Sequence, residues 1–334
     1  SLVRLDCSGN HVTSFKTIAL ILGKLDAAAE VLRTLPSKGF AVQVNLSDMH
    51  ARQGNIEKAK IFYQEAMAAD SCLGERSPER VSNGIPIVFL HRGEADFFRI
   101  AQEQARFWNP DRRIIVIGDD HNRVDGIEYH AWADYRMGTE KLVEGYEHRT
   151  INNFPFEILC LERWLVLRTF CEAHGLDEVI HLDSDVLVFE SVDASIADLR
   201  QHEAAVCGTQ AGVGYFRYQE LCRLSDFLIR AVCAPDEIPD FVMHNDMDLI
   251  GRMAQDRGWA NLLVPAGGVV FDNHIHTSDG FEFEGGRKKF EFLDGQPYSK
   301  HQASGETVRF RTIHFQGAAK SLMSEFFQRA HETM

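Results

Sequence analysis

The chain lacks any apolar run that approaches the ~20 residues of a membrane-spanning helix. Its most suggestive stretch, Ile18-Ala-Leu-Ile-Leu22, is too short and lies within a helical pattern. The sequence therefore predicts no transmembrane segment. Because the chain begins at Ser1, a leader or other N-terminal material can precede it.

Positive charge is also in short supply. The chain has 35 lysines and arginines against 49 aspartates and glutamates, which gives a net charge of −14 and a pI near 5.5. This balance argues against a general nucleic-acid binder. With 334 residues, 45% of them hydrophobic, the chain can bury a large core, and its length predicts one large domain plus a smaller one, or two domains.

The cysteines form no Cys-x-x-Cys pair, and their number is odd. Several lie in apolar surroundings, where cysteine behaves as a small buried hydrophobe. This usage favours a reducing compartment over a secreted disulfide scaffold, and we predict a cytoplasmic, bacterial protein. The seven positions are Cys7, Cys72, Cys160, Cys171, Cys207, Cys222 and Cys233.

What the chain does contain is an aspartate pair placed between two apolar runs, in Glu178-Val-Ile-His-Leu-Asp-Ser-Asp-Val-Leu-Val-Phe189. In an extended chain, the side chains of Asp183 and Asp185 point to the same side. Two carboxylates at a strand end can hold a hard divalent cation such as Mg²⁺ or Mn²⁺, which in turn binds phosphate oxygens. Because buried, unpaired carboxylates are costly, the apolar flanks favour such a cation. The alternative is a pair of loop aspartates that cap nearby helices.

A second motif, Ile313-His-Phe-Gln-Gly-Ala-Ala-Lys320, lies about 130 residues downstream. Together the two motifs resemble GT-A-fold, nucleotide-sugar-dependent glycosyltransferases, in particular the retaining, glycogenin-like and galactosyltransferase-like (family 8-like) group. The resemblance implies that His314 completes a metal site with Asp183 and Asp185. It also implies that Gly317 allows close approach to the donor diphosphate and that Lys320 neutralises it. The group usually continues with Pro-Trp, where this chain has Ser321-Leu322.

The order of predicted elements agrees with this resemblance. Ile85–His91 and Arg113–Gly118 are typical of buried strands, and Glu94–Trp108 has the apolar spacing of an amphipathic helix. A strand, a helix and a strand at this spacing predict a right-handed crossover between parallel strands. Ligands bind at the carboxyl ends of such strands. His91 and Asp119 are therefore candidates for contacts with the nucleotide base or ribose, or are ordinary loop residues.

A long helix is predicted near residues 155–174, ahead of the aspartate pair. Its Arg163 and Arg168 are candidates for contacts with the donor phosphates, although a solvated helix face explains either one alone. Ser184, between the two aspartates, joins the set of candidate donor contacts.

The segment Phe241-Val-Met-His-Asn-Asp-Met-Asp-Leu-Ile250 predicts the start of another helix. It occupies the place of an Asp-Gln-x-x-Leu-Asn segment in the resembled group, whose Asp contacts the donor sugar. This implies a catalytic role for Asp246, with Asn245 beside it, although Met247 and Gly251 replace the Gln and the Asn of that segment. The alternative is that Asn245 or Asp246 caps the helix.

Further strands are predicted at 204–208 and 212–216, and alternation at 281–293 and 308–313 predicts antiparallel strands that return His314 beneath the sheet. His274-Ile-His276 matches no compact zinc motif and is interpreted as a pair of strand or loop histidines. Gly285-Gly-Arg-Lys-Lys289 lacks the context of a phosphate loop and is interpreted as a hairpin turn with a solvated face.

The first 75 residues differ in kind. Gly23–Leu32 and Gly54–Tyr63 share one plan of glycine, apolar, small and large positions, which resembles the second helix of a tetratricopeptide repeat. Either these helices pack on the catalytic domain or they continue a longer array; a plain helical hairpin is the alternative. We predict repeats at 1–75, a linker at 76–84 and a GT-A domain at 85–334.

The sequence thus predicts an α/β GT-A fold with an N-terminal all-α segment. The predicted activity is transfer of a sugar from a nucleotide diphosphate sugar, a UDP-sugar, to a glycan, lipid-linked or protein acceptor with Mn²⁺ or Mg²⁺ and with retention. A protein partner through the N-terminal repeats is also predicted. The alternatives are a sugar-phosphate nucleotidyltransferase, disfavoured because Leu90-His-Arg-Gly-Glu-Ala95 is not a glycine-rich basic loop, and a non-catalytic scaffold.

Overall fold

A computed structural model describes residues 40–69, 84–238 and 241–332. These residues form two compact units. The first unit contains residues 40–69, 133–166, 227–238 and 241–246, and the second contains 84–132, 167–226 and 247–332. The first predicted repeat helix, at 23–32, and nearly all of the predicted linker at 76–84 lie outside the described residues.

The second unit is built on a seven-stranded mixed sheet with the order β3-β2-β1-β4-β7-β6-β8. The strands β1 to β4 that form its first half are parallel, and β7 runs antiparallel to both β4 and β6. The bounds are β1 Ile87–His91, β2 Ile114–Gly118, β3 Glu128–Ala131, β4 Glu178–Leu182, β6 Ala204–Cys207, β7 Gln210–Arg217 and β8 Ala260–Asn261. The predicted parallel arrangement of the first two strands is therefore present.

The sequence of β1 explains its central place in this sheet. Ile87 to Leu90 are apolar and buried, which suits a strand covered on both faces. The crossover to β2 is the helix α3, Asp96–Trp108, whose buried side includes Phe98, Ala101 and Ala105. Helix and strands therefore share one apolar core, as the periodicity of the sequence predicts.

A second sheet carries the C-terminal half of the candidate site. Its antiparallel strands are ordered β12-β13-β14-β5, and β9 pairs in parallel with β14. A separate hairpin consists of β10 and β11. The bounds are β5 Val186–Val188, β9 Val269–Phe271, β10 Phe283–Glu284, β11 Arg287–Lys288, β12 Glu291–Leu293, β13 Gln296–Lys300 and β14 Thr307–His314.

The last helix, α9 (Met323–Glu332), closes the core beside this second sheet. Phe326 on α9 makes edge contacts with Phe290 and Phe315 at ring-centroid distances of 5.7 and 5.1 Å. Such edge-to-face pairs stabilise a core beyond the burial of their area. The 3₁₀ segment Gly317–Leu322 links β14 to α9, so the packing of α9 fixes the chain just beyond His314.

The first unit contains the described part of the N-terminal segment. The helices α1 (Phe40–Arg52) and α2 (Ile56–Ala69) pack together, and the buried hydroxyl of Ser47 donates to the carbonyl of Ala59 at 2.7 Å. The phenol of Tyr63 donates to the buried carboxylate of Glu162 at 2.7 Å. The predicted small and large positions of the second repeat helix are therefore buried contact positions.

The remaining helices are α4 Thr139–Gly145, α5 Phe154–His174, α6 Asp193–Leu199, α7 Tyr218–Cys233 and α8 Asp246–Arg257. Within the described ranges, no helix is both long enough and apolar enough to cross a membrane. The five cysteines in those ranges, which are Cys160, Cys171, Cys207, Cys222 and Cys233, are free thiols.

Candidate metal centre

The two aspartates lie in the tight turn between β4 and β5. The amide of Asp183 donates to the carbonyl of Gly212 at 2.7 Å, and the amide of Val186 donates back to the carbonyl of Asp183 at 3.1 Å. The first bond ties the turn to β7 of the main sheet, and β5 then leaves to join the second sheet. Asp183 and Asp185 therefore lie where the two sheets diverge.

Strand pairing brings the distant histidine to this turn. His314, the last residue of β14, pairs in register with Val186 of β5, and the amide of Phe315 donates to the carbonyl of Asp185 at 2.9 Å. Nε2 of His314 consequently lies 3.0 Å from Oδ1 of Asp185 and 3.9 Å from Oδ2 of Asp183. One ligand atom from each of the three residues lies within 4.8 Å of the others.

Burial makes these contacts electrostatically strong. The side chains of Asp185 and His314 are only 10% and 4% exposed, whereas that of Asp183 is 22% exposed. Burial alone would raise the pKa of Asp185, but the hydrogen bond and positive charge of His314 outweigh it and hold that pKa below its usual value. Burial alone would likewise lower the pKa of His314, but Asp185 and Asp183 raise it.

The donor set and its surroundings fit a divalent cation. Two carboxylates and an imidazole suit Mn²⁺, and carboxylates suit Mg²⁺. Gly212 leaves the space beside the imidazole open: an added Cβ would lie 2.4 Å from Cε1 of His314 and 3.2 Å from Oδ2 of Asp183. A side chain at this position would push into His314 and Asp183, two of the three ligand candidates, so the glycine is part of the cradle.

Lys320 approaches the same cluster from the 3₁₀ segment after β14. Its Nζ lies 3.2 Å from Oδ2 of Asp185 and 5.0 Å from the ring centroid of Phe97. The side chain is 36% exposed, so the ammonium faces both the cluster and solvent. Gly317, which begins the segment, has a φ of 59°, a left-handed conformation that glycine adopts without strain.

Residues that the sequence analysis did not single out surround these ligands. His181 is fully buried, and its Nε2 lies 3.3 Å from Oδ1 of Asp183. His181 precedes Asp183 by two residues in an extended chain, so the alternation of the strand was a usable signal. Gln316 lies on the other side, with Nε2 3.3 Å from Nδ1 of His314 and hydrogen-bonded to Oε1 of Gln210. No local pattern pointed to that amide pair.

The structure places His91 at the carboxyl end of β1, where the sequence predicted a nucleotide contact. Its ring lies against Phe98 at 4.6 Å between centroids, and burial lowers its pKa to about 4, with Asp119 and Asp185 opposing that effect. Asp119 follows β2 and is already engaged: its carboxylate contacts Nε of Arg92 at 2.5 Å and accepts from the amide of Gly93 at 2.6 Å. It therefore organises the loop after β1.

The two arginines predicted as phosphate contacts occupy different settings. Arg163 is mostly buried and pairs with Asp246, Nη2 to Oδ2 at 2.5 Å, within the first unit. Arg168 is about one-third exposed and lies 3.6 Å from Asp226 on the neighbouring helix. Ser184 is half-buried in the aspartate turn itself.

Asp246 is the first residue of α8 and is buried, and Asn245 precedes it at the helix boundary. The ion pair with Arg163 gives Asp246 a contact outside its own helix. Both residues belong to the first unit, whereas the three metal-ligand candidates belong to the second.

The chain shows only weak similarity to known proteins. Neither a family model nor a curated protein sequence matches the chain. Among solved structures, apo xyloside xylosyltransferase 1 from mouse aligns with a TM-score of 0.39 and 9% identity over 54% of this chain and 85% of that one. The glycosyltransferase GlyE of Streptococcus pneumoniae TIGR4 aligns with a TM-score of 0.33 and 13% identity over 53% of this chain and 45% of that one. The chain thus spans less than half of GlyE, and likenesses of this size carry no argument about its activity.

Proposed function

We propose that the chain is a metal-dependent glycosyltransferase that moves a sugar from a nucleoside diphosphate sugar, a UDP-sugar, to a glycan, lipid-linked or protein acceptor. The observation that carries this proposal is the meeting of Asp183, Asp185 and His314 in one cluster with Lys320 beside it. These are the residues of the two motifs on which the resemblance to GT-A glycosyltransferases rests.

The cluster supplies what a diphosphate leaving group needs. When bound, a Mn²⁺ or Mg²⁺ ion would neutralise charge on the diphosphate. Asp183 and Asp185 would hold that ion through oxygen atoms, and His314 would hold it through Nε2, the nitrogen that faces both carboxylates. Because Asp185 and His314 are mostly buried, little water reaches them, and their electrostatic attraction to a bound cation is stronger than it would be in water.

Lys320 is the second cation of the proposed site. Its exposed ammonium can turn from Asp185 to a phosphate oxygen with little cost, since the side chain is long and partly solvated. Positive charge at this position stabilises the negative charge that develops on the departing diphosphate. The φ of 59° at Gly317 is a left-handed turn at the start of the segment that carries Lys320.

Asp246 and Asn245 remain the proposed contacts with the donor sugar, on the resemblance of their segment. The Arg163 contact supports this for Asp246, because the ion pair fixes the direction of the carboxylate. We further propose retention of configuration, on the resemblance to the retaining group. The sequence shows no motif for a base aimed at an acceptor, which agrees with that group.

The proposed nucleotide contacts are His91, Ser184 and Arg168, with Gly317 and Lys320 at the diphosphate. Asp119 takes part by holding Arg92 and Gly93 in place after β1, because its oxygens are engaged within the loop. We also propose a reducing, cytoplasmic location, on the odd number of cysteines and the lack of a Cys-x-x-Cys pair in the sequence.

The N-terminal helices have two proposed roles. They can bind a protein acceptor or partner, as stacked repeats do. They can also cover an apolar face, which the buried Ala59, Tyr63 and Ala66 support.

The test is release of nucleoside diphosphate from a panel of nucleotide sugars, with Mn²⁺ and with EDTA. We expect Mn²⁺-dependent release from a UDP-sugar, and proton NMR of the product would give the anomeric configuration. Pyrophosphate release from a nucleoside triphosphate and a sugar 1-phosphate would instead identify a nucleotidyltransferase. Tight Mn²⁺ and nucleotide-sugar binding with no turnover would identify a scaffold.

A further inference from the structure

The His274-Ile-His276 segment and the Gly285–Lys289 segment, neither of which matches a known zinc or phosphate motif, meet next to the backbone of His314. The loop of residues 272–279, which contains His274-Ile-His276, folds around the amine of Lys288 from the β10–β11 hairpin. Nζ of Lys288 lies 2.8 Å from Oδ1 of Asp272 and 2.6 Å from Oδ2 of Asp279, and it donates to the carbonyl of His274 at 2.8 Å. The predicted hairpin turn at Gly285-Gly286 is present, but Lys288 faces the interior.

The amine occupies the centre of this loop in the way that a bound cation would. Its side chain and that of Asp272 are both 0% exposed. Taking two charges out of water is costly, so a pair buried in this way is weak evidence of stability. The hydroxyl of Thr277 lies 2.7 Å from Oδ2 of Asp279 and 2.8 Å from the carbonyl oxygen of His274, and it can donate its one proton to either of them. Several polar groups of the loop thus depend on one lysine.

The loop holds the backbone of His314 from both sides. Oδ2 of Asp272 accepts from the amide of His314 at 3.1 Å, while the amide of Ile275 donates to the carbonyl of His314 at 3.0 Å. The amide of Lys288 in turn donates to the carbonyl of Ile275 at 2.9 Å. His314 is the final residue of β14. The loop therefore anchors it at the point where strand pairing ends.

We propose that Lys288 and Asp272 are positioning residues for His314: they hold its backbone so that Nε2 faces Asp185 and Asp183, and thereby set the cation affinity of the site. The inference rests on the proposed cation site. It assigns a use to a buried ion pair that touches neither the cation nor a substrate. Groups that orient metal ligands commonly change metal affinity by about 10- to 100-fold when removed.

The sign of the effect separates positioning from a simple field effect. Lys288 is a positive charge near a site for a positive ion, so removing the charge alone would strengthen Mn²⁺ binding. Removing the anchor of the loop would weaken it, because His314 would lose its fixed direction. The Lys288→Met substitution makes both changes at once, and positioning predicts that weakening wins.

The experiment measures Mn²⁺ affinity of the full chain, without nucleotide, by titration with electron paramagnetic resonance of the free ion. We expect wild-type binding with nitrogen coupling in the pulsed spectrum from the His314 imidazole. In Lys288→Met we expect affinity about 10-fold weaker or more, with reduced nitrogen coupling. Lys289→Met is the matched control. Lys289 is adjacent and half exposed, and its ion pair with Glu284 is long at 3.7 Å. The Mn²⁺ affinity of this variant should stay within about 2-fold of wild type.

A second variant covers the case in which Lys288→Met does not fold. Thr277→Val removes the hydroxyl that lies between the carbonyl of His274 and the carboxylate of Asp279, without altering charge. We expect it to weaken Mn²⁺ binding several-fold. Unchanged or tighter Mn²⁺ binding with intact nitrogen coupling, in whichever of the two variants folds, would overturn the inference. Wild-type protein without Mn²⁺ binding or nitrogen coupling would instead refute the proposed cation site itself.

Discussion

Gly212 lies directly against the imidazole of His314, close enough that a Cβ at Gly212 would sit 2.4 Å from Cε1 and 2.7 Å from Nδ1. Real Cβ atoms do not make contacts this short, so one of the two residues would have to move. The metal-ligand candidate therefore depends on a residue of β7 that has no side chain.

We predict that Gly212→Ala lowers Mn²⁺ affinity by about 10-fold or more, because His314 must rotate away from Asp185. Titration with Mn²⁺ checks this. Gly214→Ala is the matched control: it lies two residues along the same strand, and its Cβ would meet Cε2 of Phe216 at 2.5 Å. That variant should lose stability and keep its cation affinity; equal Mn²⁺ affinity in the two variants would contradict the prediction.

Asp185→Asn should reduce transfer by about 100-fold or more, because it removes a ligand oxygen and a charge that together are worth several kcal/mol in the transition state. Asp248→Asn should have a much smaller effect. Asp246-Met-Asp248 is also an Asp-x-Asp pair, but Asp248 lies on α8 outside the cluster. Steady-state kinetics with saturating Mn²⁺ measure both. Mild and equal losses in the two variants would contradict a role for Asp185 as a metal ligand.

Lys320→Met should act in opposite directions on binding and on catalysis. Nζ of Lys320 lies 3.2 Å from Oδ2 of Asp185, so its loss frees a carboxylate oxygen and should tighten Mn²⁺ binding in the absence of donor. Transfer should nevertheless fall by about 100-fold, since a charge on the leaving diphosphate is left without its partner. Mn²⁺ titration and kcat measurements on the same variant check the two signs. A fall in both Mn²⁺ affinity and kcat would mean that Lys320 only maintains the structure of the site.

The stability of the protein without metal should fall in mild acid through His91. Burial lowers the pKa of His91 to about 4 from 6.5. Between those values the unfolded chain binds a proton that the folded chain does not, so stability decreases as pH falls from about 6.5 to about 4. Urea unfolding in EDTA at pH 7.5 and pH 5 should show a His91 contribution of about 2 kcal/mol.

His91→Leu should remove that part of the pH dependence, since leucine cannot titrate. His202→Leu, at an exposed position, serves as the control and should keep the wild-type pH dependence. An unchanged slope in His91→Leu would mean that other groups account for the acid sensitivity.

Tyr63→Phe should destabilise the protein by about 1–3 kcal/mol, because it deprives the buried Glu162 of a hydrogen-bond donor at 2.7 Å. Arg136 would remain as the other partner of Glu162. Urea unfolding measures this, with Tyr298→Phe as a control on β13. An unaltered urea midpoint would show that the Tyr63–Glu162 hydrogen bond contributes nothing measurable to stability.

Removing residues 1–75 separates the two proposed roles of the N-terminal helices. An acceptor or partner role predicts unchanged donor hydrolysis and impaired transfer. A covering role predicts a lower melting temperature and poor solubility, since the partners of Ala59, Tyr63 and Ala66 would be exposed. Unchanged melting and unchanged acceptor kinetics would leave the segment with neither role.

Much of the local structure was open to prediction from the sequence. The run Ile85–His91 predicted a buried strand that the structure has at Ile87–His91, and the helix predicted at Glu94–Trp108 begins at Asp96. Both patterns arise from burial on a fixed period, which each segment carries within itself. The observed strand and helix each start two residues later than predicted, because the capping and fraying of an element depend on its neighbours in space.

The sequence by itself determined which residues are candidates for the chemistry: an aspartate pair after a buried strand, and a His-Phe-x-Gly-x-x-Lys segment near the C-terminus. Only the tertiary structure decided that Asp185 and His314 meet, because the register of β5 with β14 joins residues 129 positions apart. It also decided that Lys288 turns inward to Asp272. Strand register and buried ion pairs arise from contacts between distant segments, and no periodicity within one segment encodes them.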